Sequence, residues 1–249
     1  MEPNYKVVYV STEEQLLQAV AEISKSNCIA FDCEGVDLGR DGPLTVATFS
    51  TLVSEAPIYV VDVQGLGGDK VFASSAFKGI LASKGQRKIM FDCRADSDAL
   101  FHQFGVKLSG VQDMQVMDQA IRIYHGESLP QRCDYLCPTF IPRLSNMNAV
   151  AKRSGLTISK LPSPHKCSSS AWAKRPLDPT AIAYAAQDVF IIKEIEAATR
   201  SAVNKSVGRA LPWCKLEAAV AETSKIRRDV PRSQLSTRSF QDCGQRLHH

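Results

Sequence analysis

Ile29 to Ser50, "IAFDCEGVDLGRDGPLTVATFS", begins as an apolar, β-like run and then places two acids two residues apart, Asp32 and Glu34. Residues at i and i+2 of a strand project from the same face. The two carboxylates therefore point together, with Cys33 on the other side. Carboxylates cost several kcal/mol to bury unless a partner offsets the loss of water. Two of them side by side also raise each other's pKa unless a cation lies between them. Either the pair faces solvent at a strand end, or it holds a cation, and hard oxygen ligands suit Mg²⁺ or Mn²⁺.

Two further segments supply acids. In "KIMFDCRADSDAL", Asp92 reads as a strand end and Asp96 as part of the first turn of the next helix, with Asp98 facing elsewhere. "DPTAIAYAAQDVFIIKEIEAATRSAV" is the clearest helix of the chain, with Asp178 as cap and Pro179 at its first position. Tyr184 and Asp188 stand at i and i+4 on it and share a face with Ala181. Ile182, Ala186, Val189 and Phe190 form the opposite, apolar side. Each piece alone has a plain structural reading: a strand-end acid pair, a helix-terminal acid favoured by the macrodipole, a surface Tyr–Asp pair. The order strand D-x-E, strand–helix D, late-helix Y-x-x-x-D is hard to reach by chance.

The remaining segments set these pieces in a mixed α/β order. "YKVVYV", "CIAFDCE", "PLTVATFS", "PIYVVDV" and "RKIMFDC" read as strands. "STEEQLLQAVAEIS" reads as a helix capped by Ser11 or Thr12 with Glu14 nearby, burying Leu16, Leu17, Val20 and Ile23. "ASSAFKGILAS" is a short helix, and Gly105 and Gly126 stop the helices "ADSDALFHQFG" and "MQVMDQAIRIYHG". From Glu127 to Ser170 only a helix near "NMNAVAKRSG" is readable. The expected class is α/β with a mixed central β-sheet flanked by helices.

With this frame the sequence resembles the DEDDy 3′–5′ exonucleases of the RNase D type, over roughly Tyr5 to Ala202. "GVDLGRDGPL", "FGVKLSGVQDMQ" and "WAKRPL" support the likeness beyond the acids, and "FDCEGVDL" and "DCRADS" are most similar to the Egalitarian-like, exonuclease-domain-containing branch. The resemblance implies a ribonuclease H-like fold and a two-metal phosphodiester hydrolysis with two Mg²⁺ or Mn²⁺ ions. It implies that Asp32 bridges the ions, that Glu34 and Asp188 hold the ion activating the water, and that Asp96 steadies the second. Tyr184 would orient the water and the scissile phosphate. Phe91 stands where relatives often have His, and Met114 follows Asp113 where Thr is usual; both read as packing changes, and Asp113 either as an acid behind the metal ligands or as a structural acid. The implied substrate is the 3′ end of single-stranded nucleic acid, RNA by preference. Other RNA-processing proteins are the implied partners. A catalytically weak RNA-binding adaptor and a DNA-directed repair exonuclease are the alternatives.

Composition bounds the rest. The 249 residues, 44% hydrophobic and 22% charged, have room for one sizeable core and a tail. No apolar run is long enough to span a membrane, and the opening "MEPNYKVVYV" has no secretory pattern. The eight cysteines then read as reduced thiols, and cytoplasm or nucleus is the expected location. Residues 200–249 carry ten Lys/Arg against four Asp/Glu, so the basic excess lies at the C-terminus. The division expected is an exonuclease domain over 1–204 and a basic, partly disordered extension over 205–249.

Other candidates are weaker. Cys133, Cys137, His165 and Cys167 could form a zinc site, with scattered thiols as the plainer reading. Gly65, Gly67 and Gly68 read as a turn with no helix directly after it. Trp172 reads as packing and Trp213 as a possible base platform, while Lys174 and Arg175 read as phosphate contacts. His102 and His125 read as ordinary helix residues.

Overall fold

The computed structural model describes residues 5–73, 75–127, 131–134, 137–142, 144–158, 160–163, 171–206 and 220, with backbone alone at 75, 131–134, 137–142 and 206. The main sheet is mixed, with six strands in the order β1-β4-β3-β2-β5-β6. Those strands are β1 (Val7–Val10), β2 (Cys28–Gly35), β3 (Leu44–Thr51), β4 (Ile58–Asp62), β5 (Arg87–Met90) and β6 (Val111–Asp113). The helices are α1 (Glu13–Ser24), α2 (Asp69–Ala73), α3 (Ser75–Ala82), α4 (Arg94–Phe104), α5 (Met114–Tyr124), α6 (Met147–Arg153) and α7 (Pro179–Ser206). Among the described residues no helix is long and apolar enough to cross a membrane.

The chain forms two compact units, residues 1–110 with 159–193, and residues 111–158 with 194–249. In the second, a hairpin of β7 (Gln131–Asp134) and β8 (Cys137–Pro142) follows α5. Arg153 of α6 donates two hydrogen bonds to Asp118 of α5, at 2.9 and 2.7 Å. Asp113 caps α5, its carboxylate accepting from the Gln115 amide at 2.9 Å. Of the two roles expected of it, this is the structural one.

The first unit is built round β2. This strand pairs antiparallel with β3, Asp32 opposite Thr48 and Glu34 opposite Val46. On its other edge it pairs parallel with β5, but only from Cys28 to Ala30. Asp32 and Glu34 thus stand on a length of β2 that has outrun β5. At Gly35 the register shifts, and a Cβ there would sit 2.1 Å from the Pro43 carbonyl oxygen. Only glycine lets the returning chain approach so closely. Gln103 of α4 clamps the intervening loop: its amide donates to the carbonyls of Gly39 and Gly42, and its oxygen accepts from the Leu44 amide.

Several sequence expectations need correcting. Thr12 caps α1 with Gln15, not Glu14, completing the capping box, because Gln15 is the third helical residue. The buried stripe is Leu16, Ala19, Val20 and Ile23, at i, i+3, i+4 and i+7; Leu17 falls off it and is 61% exposed. Helix α2 starts directly after the glycines, at Asp69. Asp92 is not a strand residue: β5 ends at Met90, and Asp92 takes a positive φ of 54°. Around α7 the burial is not split into two sides, since Ala181, Ala185, Ala186, Val189 and Ile192 are all buried. The side chains of the proposed zinc ligands and of Trp213, and those of the C-terminal extension from residue 206 on apart from residue 220, lie outside the described ones.

The "WAKRPL" block anchors to the sheet. Trp172 is fully buried, as expected for packing. Arg175 is not a free phosphate contact: its Nε donates to Asp62 Oδ1 at 2.7 Å, and its terminal nitrogens donate to the carbonyls of Trp172, Lys174 and Thr45. Tyr9 and the Gly65 amide donate to the same Asp62 carboxylate. Removing one member of such a buried pair strands the other charge. Arg175→Ala should therefore cost about 3 kcal/mol of folding stability, read by urea unfolding. A change within 0.5 kcal/mol, the range of ordinary surface substitutions, would show that the block is not pinned this way.

Candidate metal centre

Three segments converge at the free end of β2. The first is β2 itself, carrying Asp32 and Glu34. The second is the turn from β5 into α4. Asp92, in the left-handed conformation that aspartate tolerates, is held there by Arg94, whose Nε and Nη2 donate at 2.5 and 2.7 Å. The turn swings the start of α4 across the place β5 has vacated. Asp96 lies in the first turn of α4 and is 4% exposed. Its Oδ1 accepts the Cys33 amide at 2.8 Å, so a carboxylate takes a sheet donor that β5 does not reach. The third segment is α7, started by Asp178, whose Oδ1 accepts from the Thr180 amide at 2.8 Å. Tyr184 and Asp188 follow on successive turns beside Ala181 and Ala185, both fully buried. Those small side chains let α7 approach closely.

The oxygens of Asp32, Glu34 and Asp188 come within 4.8 Å of one another. Asp96 is not a fourth member of this group among the described residues. It sits beside it, on the Cys33 amide, and its charge acts strongly on Asp32. Asp98 faces away, as expected, with Arg40 at 3.6 Å and His102 at 3.4 Å.

The electrostatics follow from crowding and burial. Burial first, then the charges of Asp96, Glu34 and Asp188, push the Asp32 carboxyl well above the usual range. Glu34 is pushed up to about 8, by burial and then by Asp188. Asp188 is raised to about 6 by burial, although Lys160 pulls the other way. The Tyr184 hydroxyl is raised by burial and by the Asp188 charge.

Lys160 is the residue that sequence reading did not find. Its Nζ lies 2.7 Å from Asp188 Oδ2 and 4.6 Å from the centre of the Tyr184 ring. Burial lowers the lysine pKa, but the Asp188 charge and hydrogen bond overcome this and leave it raised. No periodicity marks it, since it lies in the irregular stretch before "WAKRPL". The other Asp188 oxygen, Oδ1, is buried with no hydrogen-bond partner among the described residues. A buried, unpartnered carboxylate oxygen among two more carboxylates is what a hard divalent cation satisfies. The donor set fits such an ion.

The 3′–5′ exonuclease family matches residues 7–202. The chain belongs to this family. Among curated relatives of this exonuclease domain, the piRNA biogenesis protein EXD1 of Xenopus laevis is 28% identical over 192 residues, 74% of this chain and 40% of that protein. The chain thus spans about two fifths of that relative's length. Among solved structures, Trypanosoma brucei RNase D has a TM-score of 0.73 at 24% identity, covering 96% of this chain and 82% of that one. The same enzyme in complex with RNA U12 has a TM-score of 0.70 at 25% identity, covering 96% and 80%. The fold is the ribonuclease H-like fold of RNase D-type exonuclease domains, as the sequence led us to expect.

The raised carboxyl pKa values set a pH dependence. Glu34 and Asp188 release their protons near 8 and 6 in the folded chain, against ordinary values of 4.5 and 3.8. Between those limits the folded chain binds more protons than the unfolded one, so stability is lost as pH rises. In EDTA the melting temperature should therefore fall by on the order of 5 °C between pH 5 and pH 8.5. Mn²⁺ should reverse the loss most strongly at the upper end. A melting temperature in EDTA that climbs over this range would contradict the crowding.

Proposed function

We propose that the chain is a metal-dependent exonuclease domain that removes nucleotides from the 3′ end of single-stranded nucleic acid, RNA by preference. The single observation that carries the reading is the three-carboxylate group of Asp32, Glu34 and Asp188, with an Asp188 oxygen that has no partner among the described residues. Membership of the 3′–5′ exonuclease family supports the direction of attack. The RNA complex of the trypanosomal neighbour and the piRNA role in the names of the EXD1 relatives support the preference for RNA.

In this reading Asp32, Glu34 and Asp188 hold Mg²⁺ or Mn²⁺, two ions by the family resemblance. Held there, such an ion would supply a water of lowered pKa and would offset charge on the phosphate and the departing 3′-oxygen. Asp96 acts through its bond to the Cys33 amide, fixing the strand on which Asp32 and Glu34 are mounted. Tyr184, one turn from Asp188, presents a hydroxyl that orients the water and the scissile phosphate. RNA-processing proteins are the partners this role calls for. Cytoplasm or nucleus is the proposed location, supported by the free buried thiol of Cys33.

A second reading, a catalytically weak RNA-binding adaptor, has one specific observation in its favour: the ion pair of Lys160 with Asp188. Incubating the chain with 3′- and 5′-labelled single-stranded RNA and DNA in Mg²⁺, Mn²⁺ and EDTA separates the two. Metal-dependent shortening from the 3′ end is expected, with RNA cut faster than DNA. Asp32→Asn should lose activity by on the order of a thousandfold. Tyr184→Phe should lose on the order of a hundredfold in kcat with metal binding kept. Retention of the RNA with no shortening in any metal would hand the case to the adaptor. Equal or faster cutting of DNA would move it to a repair enzyme.

A further inference from the structure

The Lys160 ammonium lies against one oxygen of a carboxylate on which the proposed function depends. Its placement is built in. The next residue, Leu161, donates its amide to Gln187 Oε1 at 2.6 Å, so the segment is fixed to α7 immediately beside Asp188. The ion pair is buried on the acid's side and more open on the lysine's, with 5% and 22% of the side chains exposed. The lysine stem is long and flexible and can carry its charge outward. Asp188 cannot follow, because it is part of a helix whose neighbouring residues are buried.

We propose that Lys160 is an internal competitor of the divalent ion: ammonium and metal contend for the charge of the same Asp188 carboxylate, so Lys160 sets how tightly the site binds metal. The proposal rests on the exonuclease reading and adds a positioning residue to it. Four carboxylates, Asp32, Glu34, Asp96 and Asp188, act on one another electrostatically in this corner, and Lys160 is the cation whose charge opposes theirs on Asp32, Glu34 and Asp188. A lysine that merely braced the fold could be replaced without tightening a metal site. A competitor cannot, since two cations sharing one ligand are negatively coupled, and the coupling is reciprocal. Metal must loosen Lys160, and removing Lys160 must strengthen metal binding.

Calorimetric titration of the EDTA-stripped full chain with Mn²⁺ and Mg²⁺ reads this directly, without any turnover. Lys160→Met should bind Mn²⁺ about tenfold or more tightly than the wild type, and Lys160→Arg, which keeps the charge, should stay within about threefold of the wild type. Equal or weaker binding by folded Lys160→Met overturns the proposal. A measurement on the wild type keeps it testable should that variant fold poorly: amine acylation of Lys160, followed by mass spectrometry in EDTA and in Mn²⁺. Acylation should rise several-fold with metal, and an unchanged rate again overturns the proposal. Asp32→Asn tells the two failures apart. If it loses metal binding while Lys160→Met matches the wild type, the metal centre stands and the competitor falls. If neither the wild type nor any variant binds metal, both readings fall together.

Discussion

Three carboxylates whose oxygens meet within 4.8 Å cannot all stay ionised in a partly dry site without a positive charge among them. The rest of the first unit is arranged around that constraint. It keeps β5 short, so that β2 runs free at Asp32 and Glu34. It turns the chain at Asp92 so that α4 begins beside them. It seats α7 on alanines, so that Asp188 comes within reach. A core optimised for stability alone would exchange these acids for apolar residues, since buried charges contribute little net stability even when paired. The acids cost folding free energy, and a bound cation is what returns it.

Asp96 shows how one carboxylate can serve the site from outside the closest group. Its bond to the Cys33 amide fills the gap in hydrogen bonding that the short β5 leaves. A strand end that would otherwise fray is fixed in the register that points Asp32 and Glu34 inward together. The same carboxylate adds its charge to the field on Asp32. Structural support and electrostatic strain thus come from one side chain, and neither can be changed without the other.

Much of this was legible in the sequence because two regular periods carry it. The period of two on β2 places Asp32 with Glu34, and the period of 3.6 on α7 places Tyr184 with Asp188. Asp178 and Pro179 marked where α7 begins, and Gly105 where α4 ends. Legibility failed where tertiary partners decide. Arg175 read as a phosphate contact because nothing local reveals that Asp62, far earlier in the chain, claims its guanidinium. Leu17 read as buried because a lone helix offers two adjacent leucines, and only the packed neighbours choose between them. Asp92 read as strand because the positive φ of a single residue leaves no periodic trace.

Lys160 is the clearest case of information that only packing supplies. In the sequence it is one of many surface-type lysines in an irregular stretch. In the fold it supplies positive charge to an acidic corner, 2.7 Å from Asp188 and beside the Tyr184 ring. A fixed positive charge and a metal ion answer the same electrostatic need, but with different consequences. The ammonium donates hydrogen bonds and polarises weakly. A dication concentrates charge on coordinated oxygen and acidifies bound water. A site that can be satisfied by either can rest stably folded on its own lysine, and gains the chemistry of hydrolysis only when the stronger cation takes the carboxylate. The ion pair therefore bears on folding and catalysis in opposite senses: what relieves the acids in one state is what the metal must overcome in the other.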